Sequence, residues 1–232
     1  MRTAERDGLL MVLAVASGSA DGWSFFGLGH AFVANMTGNT VLLGISVFDP
    51  HQETLRPLIA LCCYLAGTVG GTFITRRIQP GALWAKSVSW TLFLEALLLI
   101  GAEIGWIATA HAPAPRLDNL LLGVIAVAIG LQSGAMVQLR IPGVVTTYIS
   151  GTWTTLTNGL TLLGARTPRV ERQKTRFEER LALQAGVLAV YFLSAVLTGW
   201  CFLHLPRLVG AIPTAAVLLA AAYGALGTES EQ

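Results

Sequence analysis

FVANMTGNTVLLG, residues 32–44, sets a polar cluster between apolar flanks: Asn35, Thr37, Gly38, Asn39 and Thr40. Two amides, two hydroxyls and a glycine would suit a surface turn in a water-soluble protein. The chain on either side is built for lipid. The fold turns on what such a cluster does where no water is at hand to receive it.

Of the 232 residues, 53% are hydrophobic and 12% charged, and the mean hydropathy is +0.63. Soluble domains carry about 25% charged residues. The low charge, in long uncharged runs, points to one polytopic membrane domain over residues 1–232, with the lipid bilayer as its solvent. The net charge is +2, and six of the 15 basic residues fall between Arg166 and Arg180. That clustering marks 165–180 as a basic cytoplasmic loop. A nucleic-acid surface would interleave aromatic side chains as stacking platforms. Only Phe177 lies there, so nucleic acid is not an expected partner. Cys62, Cys63 and Cys201 lie in apolar stretches without CxxC spacing and read as small buried residues. No metal-ligand spacing, P-loop, dinucleotide glycine motif, GxSxG or HExxH occurs, so no metal, cofactor or enzyme activity is expected. Arg2 and Arg6 before GLLMVLAVA resemble a signal peptide. Glu5 and Asp7, and the apolar run through Phe32, favour a retained first membrane helix.

Six segments have the roughly 20 apolar residues that a membrane helix needs: 8–28, 57–75, 87–108, 118–138, 183–203 and 208–226. Segments 31–48 and 143–164 reach spanning length but are richer in polar groups. All should be helical, because lipid leaves sheet edges unsatisfied. With a cytoplasmic N-terminus, the positive-inside rule tests whether the polar pair crosses. If both segments dip in and return, Arg76, Arg77, Lys86 and Arg140 join the basic side. Arg56 and Arg116 leave it. The bias sharpens, so the re-entrant arrangement is preferred over eight crossings.

The second polar segment contains VVTTYISGTWTTLTNGL, residues 144–160. Aligning Gly151 with Gly38 sets Ser150 on Thr37 and Thr152 on Asn39. The preceding helices match too: Gly18 and Gly22 against Gly130 and Gly134. The next pair of helices share Tyr64-Leu65 and Tyr191-Phe192. Two repeats follow, 8–108 and 118–226. Three crossings in each make them inverted, a transporter architecture with broken helices at its centre; four crossings would make them parallel. The expected fold is therefore all-α: six transmembrane helices plus two re-entrant or broken segments.

Non-helical backbone at membrane depth survives only inside protein or beside an aqueous cavity. Gly38 and Gly151 would permit a break or a close approach. Asn35, Thr37, Asn39, Thr147, Ser150 and Thr152 would satisfy freed backbone groups or a ligand, with Trp153 lining the cavity. Helix starts exposed by a break favour anions. The competing reading is plain hydrogen bonding between helices, worth about 0.6 kcal/mol each. Ionisable groups at membrane depth mark functional sites. Asp21 is the first candidate for a proton-coupling or ligand-binding carboxylate and Glu95 the second. Gln132 falls near the second polar segment. Trp84, Trp90, Trp106 and Trp200 read as an aromatic belt.

SADGWSFFGLG followed by FVANMTGNTVLLG, with GLQSGAMVQLRIPGVVTTYISGTWTTL in the second half, resembles the YoaK family. These are bacterial membrane proteins classed as a domain of unknown function. Leu131-Gln132 departs from the Met-Gln of that pattern. The resemblance implies a multi-pass inner-membrane protein and no particular substrate. The residues themselves favour a secondary transporter for a small, unidentified solute, with protons as coupling ion and a site between the two polar motifs. A channel-like facilitator and a membrane scaffold or membrane-embedded enzyme stand as alternatives. The glycine ridges serve either within one chain or between copies in a homo-oligomer.

Overall fold

The computed structural model describes residues 2–48, 54–79, 82–109, 114–139, 149–165 and 174–229. Those residues are all-helical, without a strand. Six helices are long and apolar enough to cross a membrane. They are α1 (Thr3–Gly27), α3 (Leu55–Thr75), α4 (Lys86–Ala108), α5 (Pro115–Gln138), α7 (Lys174–His204) and α8 (Ala211–Glu229). A 3₁₀ turn, Pro206–Leu208, joins the last two. The polar segments supply two shorter helices, α2 (Met36–Ser46, 11 residues) and α6 (Ile149–Gly164, 16 residues). At about 1.5 Å per residue α2 rises only about 16 Å, short of a hydrocarbon core about 30 Å thick, and the described part of α6 rises about 24 Å.

The contacts fix the direction of every long helix. Gly18 of α1 meets Tyr191 and Ser194 of α7, and Gly22 meets Ala195 and Thr198, so these two helices run parallel. Gly67 and Gly71 of α3 meet Val127 and Leu131 of α5, again in parallel. Trp23, near the end of α1, stands edge-on to Trp106, near the end of α4, with centroids 6.2 Å apart. Trp106 Nε1 donates to the Pro206 carbonyl at 2.9 Å, which brings the end of α7 and the start of α8 to the same level. Gly29, just past α1, lies against the Arg56 guanidinium at the start of α3. Arg56 pairs with Asp118 at the start of α5 (3.4 Å). Hence α1, α4 and α7 run one way, and α3, α5 and α8 the other. The connection carrying α2 leaves and rejoins the bundle at one end, and the connection carrying α6 does so at the opposite end.

α1 and α5 form the axis. In their apolar windows 67% and 78% of residues are buried, against 28% in α3 and α7. Around them α1 packs on α7 and α8, α5 on α3 and α4, and α4 on α8. α2 lies on α3, and α6 on α7. Backbones touch in both parallel pairs. A Cβ on Gly18 would strike the Tyr191 carbonyl, and one on Gly130 the Tyr64 carbonyl. Such close approach lets dispersion replace the hydrophobic drive that lipid does not supply.

Two of the four expected belt tryptophans are interior. Trp84 and Trp106 are buried and donate to Ser89 Oγ and the Pro206 carbonyl. An indole N–H finds a partner in a headgroup or in protein, and hydropathy cannot separate the two. Trp90 and Trp200 are exposed, as a belt requires.

Candidate functional site

α1 ends where the chain needs a left-handed turn. Gly29 has φ 91° and His30 φ 60°. His30 N–H reaches back to the Phe25 carbonyl at 3.1 Å and Leu28 N–H to that of Ser24 at 3.0 Å, closing the last turn. The chain then folds back beside α1 until it meets Asp21. Asp21 lies two turns inside the helix and is 4% exposed. Its Oδ1 accepts from the backbone N–H groups of Val33 (2.8 Å), Ala34 (2.7 Å) and Asn35 (3.3 Å). Its Oδ2 accepts from the Tyr191 hydroxyl of α7. Three successive N–H groups form a concave anion-binding nest, and the anion filling it is the protein's own carboxylate.

The polar cluster completes this corner. Asn39 is fully buried and grips one residue twice: Oδ1 accepts from Phe32 N–H (2.9 Å) and Nδ2 donates to the Phe32 carbonyl (2.6 Å). Asn35 caps α2 by accepting from Gly38 N–H at 3.1 Å. Gly38 sits inside the first turn of α2, where a Cβ would press on the Phe32 ring at 3.0 Å. The interruption therefore spans residues 28–35, ahead of the glycine. Thr40 donates to the Met36 carbonyl (2.8 Å), and Thr37 is exposed.

In the second half Thr147 lies outside the described residues. Ser150 and Gly151 sit in the first turn of α6, and their carbonyls accept from Thr154 and Thr155. Thr152 is buried, and Trp153 is 58% exposed. Trp153 borders a shallow, open hollow of about 490 Å³ on the exposed face of α6, beside Thr154, Thr157, Asn158 and Thr161. α7 links the two motifs: Gln184 Nε2 donates to Thr155 Oγ1 at 3.2 Å, and Tyr191 serves Asp21. Among the described residues, the motifs are thus joined through a third helix.

Two further candidates occupy the interior. Gln132 is fully buried and ties α5 to α1 by donating to the Leu13 carbonyl (3.3 Å) and Ser17 Oγ (3.0 Å). Glu95 of α4 is fully buried, and neither carboxyl oxygen has a hydrogen-bond partner among the described residues. Sequence reasoning passed over Ser133, whose Oγ meets the Tyr64 hydroxyl at 2.6 Å. The signal was present. Ser133 stands three residues after Gly130, as Asp21 stands three after Gly18.

The family model for "Protein of unknown function (DUF1275)" matches residues 9–225. The chain belongs to the DUF1275 family. Among its relatives, the chain is 29% identical over 195 residues to the UPF0700 transmembrane protein YoaK of Bacillus subtilis (strain 168). That match covers 84% of this chain and 83% of the relative. No solved structure matches. A multi-pass membrane protein of the DUF1275 family is the coarse identity that the six spans and the match agree on.

Proposed function

We propose that this DUF1275 member is a secondary transporter or permease for a small solute in the bacterial inner membrane, with its N-terminus cytoplasmic, and is not an enzyme. The observation that carries the reading is a pair of polar helices, α2 and α6, in the connections between long ones. Each returns to the end of the bundle it left, one end apiece. Broken helices in oppositely directed halves frame the substrate site of many secondary transporters. The inverted-repeat reading of 8–108 and 118–226 draws support from the packing. Exchanging α1 with α5, α2 with α6, α3 with α7 and α4 with α8 turns each principal helix contact into another that is present.

The two carboxyls then divide the labour. Asp21 holds the break together through four donors. Glu95 has no such structural task and is the coupling candidate, because a buried acid without a polar partner gains most from a proton, a water or a solute. The test is reconstitution into liposomes loaded with a pH-sensitive dye, with a panel of small organic solutes supplied outside. Solute-dependent proton movement that Glu95→Gln abolishes, while the protein stays monodisperse, is the expected result. Movement insensitive to a pH gradient and to Glu95→Gln contradicts coupling. Flux indifferent to solute on the far side assigns a channel.

The scaffold reading has one observation in its favour: Asp21, Asn35 and Asn39 are all engaged by local backbone. It expects cellular function to survive Asn39→Ala combined with Thr152→Ala.

A further inference from the structure

A groove of about 600 Å³ lies between α4 and α8. On one wall are Trp90 and Phe93, packed edge-on with centroids 6.1 Å apart. On the other are Leu218, Ala221, Ala222 and Ala225. Lys86 stands at the mouth. The hollow follows from the side-chain sizes: α4 projects two large rings, and α8 answers with three alanines, with Leu218 closing the end opposite Lys86. Seven residues separate Lys86 from Phe93, so the groove runs about 10 Å along the helix, roughly a third of the hydrocarbon core.

We infer that this groove binds one anionic phospholipid, its phosphate against the Lys86 ammonium and the upper part of an acyl chain on the alanine face. Three features select that occupant. The walls are apolar and open to the bilayer, so the groove fills with hydrocarbon and not with water. The mouth is cationic, and the start of α4 adds the partial positive charge of a helix N-terminus at the same end. Arg76 and Arg77, which follow α3, emerge at that end too, on the side the basic-residue pattern assigns to the cytoplasm, where anionic lipids concentrate. A partner membrane helix fits poorly. It is at least about 10 Å across and crosses the whole bilayer, whereas this groove stops at Phe93.

The test is native mass spectrometry of the full-length, detergent-purified protein, titrated with phosphatidylglycerol and phosphatidylcholine of identical acyl chains. Phosphatidylglycerol is expected to bind roughly five-fold tighter, the worth of one basic residue at an anionic headgroup. Lys86→Gln should erase that preference and leave phosphatidylcholine binding as it was. Lys86→Arg should retain it, and serves if the glutamine variant does not stay monodisperse. Ala222→Leu, on an exposed position, should weaken both lipids several-fold. Equal affinity for the two lipids, or a preference that survives Lys86→Gln, overturns the inference. Displacement of the lipid by millimolar inorganic phosphate overturns it in favour of an ion site. A shift in oligomer mass on Ala222→Leu with lipid binding intact gives the face to a second copy of the chain.

Discussion

Two corners of the bundle are built alike and finished differently. Where α1 meets α7, a glycine approaches the Tyr191 carbonyl, and the Tyr191 hydroxyl reaches a side chain three residues beyond that glycine. Where α3 meets α5, Gly130 approaches the Tyr64 carbonyl, and the Tyr64 hydroxyl reaches the side chain three residues beyond. In the first corner that side chain is Asp21, which also holds three backbone N–H groups of a broken segment. In the second it is Ser133, whose hydroxyl carries no full charge. The scaffold is shared, and the anion is on one side only. Helix packing in these corners therefore belongs to the glycines and tyrosines. The fixing of the α1–α2 break belongs to the carboxylate.

The largest effect should come from Asp21→Ala. It leaves three buried N–H groups and a phenol without their acceptor, at about 1–3 kcal/mol for each group left unsatisfied. Partial relaxation should hold the total loss to about 4 kcal/mol, read as a steep fall in the thermal midpoint of the solubilised protein. Asp21→Asn keeps one carbonyl acceptor for the nest and should fall much less. An Asp21→Ala protein that melts with the wild type would remove the distinction between the corners.

Gly18→Ala and Gly130→Ala come next. Each drives a Cβ into a backbone carbonyl that cannot move alone, and overpacking of this kind costs about 1–3 kcal/mol. Gly101→Ala is the control. Nothing stands within 4 Å of its added Cβ, so it should melt as the wild type does. Equal sensitivity of Gly18 and Gly130 would sharpen the view that the scaffold is common to both halves.

Smaller still is the Tyr64–Ser133 contact. Tyr64→Phe, Ser133→Ala and the double variant should yield a coupling of about 0.6 kcal/mol, the usual scale for a hydrogen bond between membrane helices. The smallest effect on stability belongs to Glu95→Gln. A carboxyl without a hydrogen-bond partner among the described residues loses nothing structural there when it becomes an amide, so stability should hold within about 1 kcal/mol while coupled flux disappears. A large destabilisation would mean that Glu95 is a structural residue.

Much of this plan can be read from the chain. The six spans follow from hydropathy alone. The positions of Arg76, Arg77, Lys86 and Arg140 relative to the basic loop favour a return of α2 and α6 over two more crossings. The paired glycines mark the parallel contacts because nothing larger lets two backbones touch. What the sequence hides is long-range. Tyr191 lies 170 residues from Asp21, and no local pattern pairs them. At Gly38 and Gly151 the sequence allows either a break or a close approach and does not choose between them. In the first half Gly29 and His30 make the turn, and Gly38 serves close packing against Phe32. Asp21 was legible as an intramembrane carboxylate. That it fills a nest of backbone donors depends on how the chain folds back, which no spacing encodes.

The claim on which the rest depends is that α2 enters the bundle and leaves by the same end. His30 and Phe48 bracket it, and both are exposed. Single cysteines at the two positions, in a chain with Cys62, Cys63 and Cys201 replaced by serine, can be labelled in oriented vesicles with a membrane-impermeant maleimide. The expected result is that both label from one face, with a cysteine at Arg77 labelling from the other. Labelling of positions 30 and 48 from opposite faces would make α2 a crossing and contradict the account.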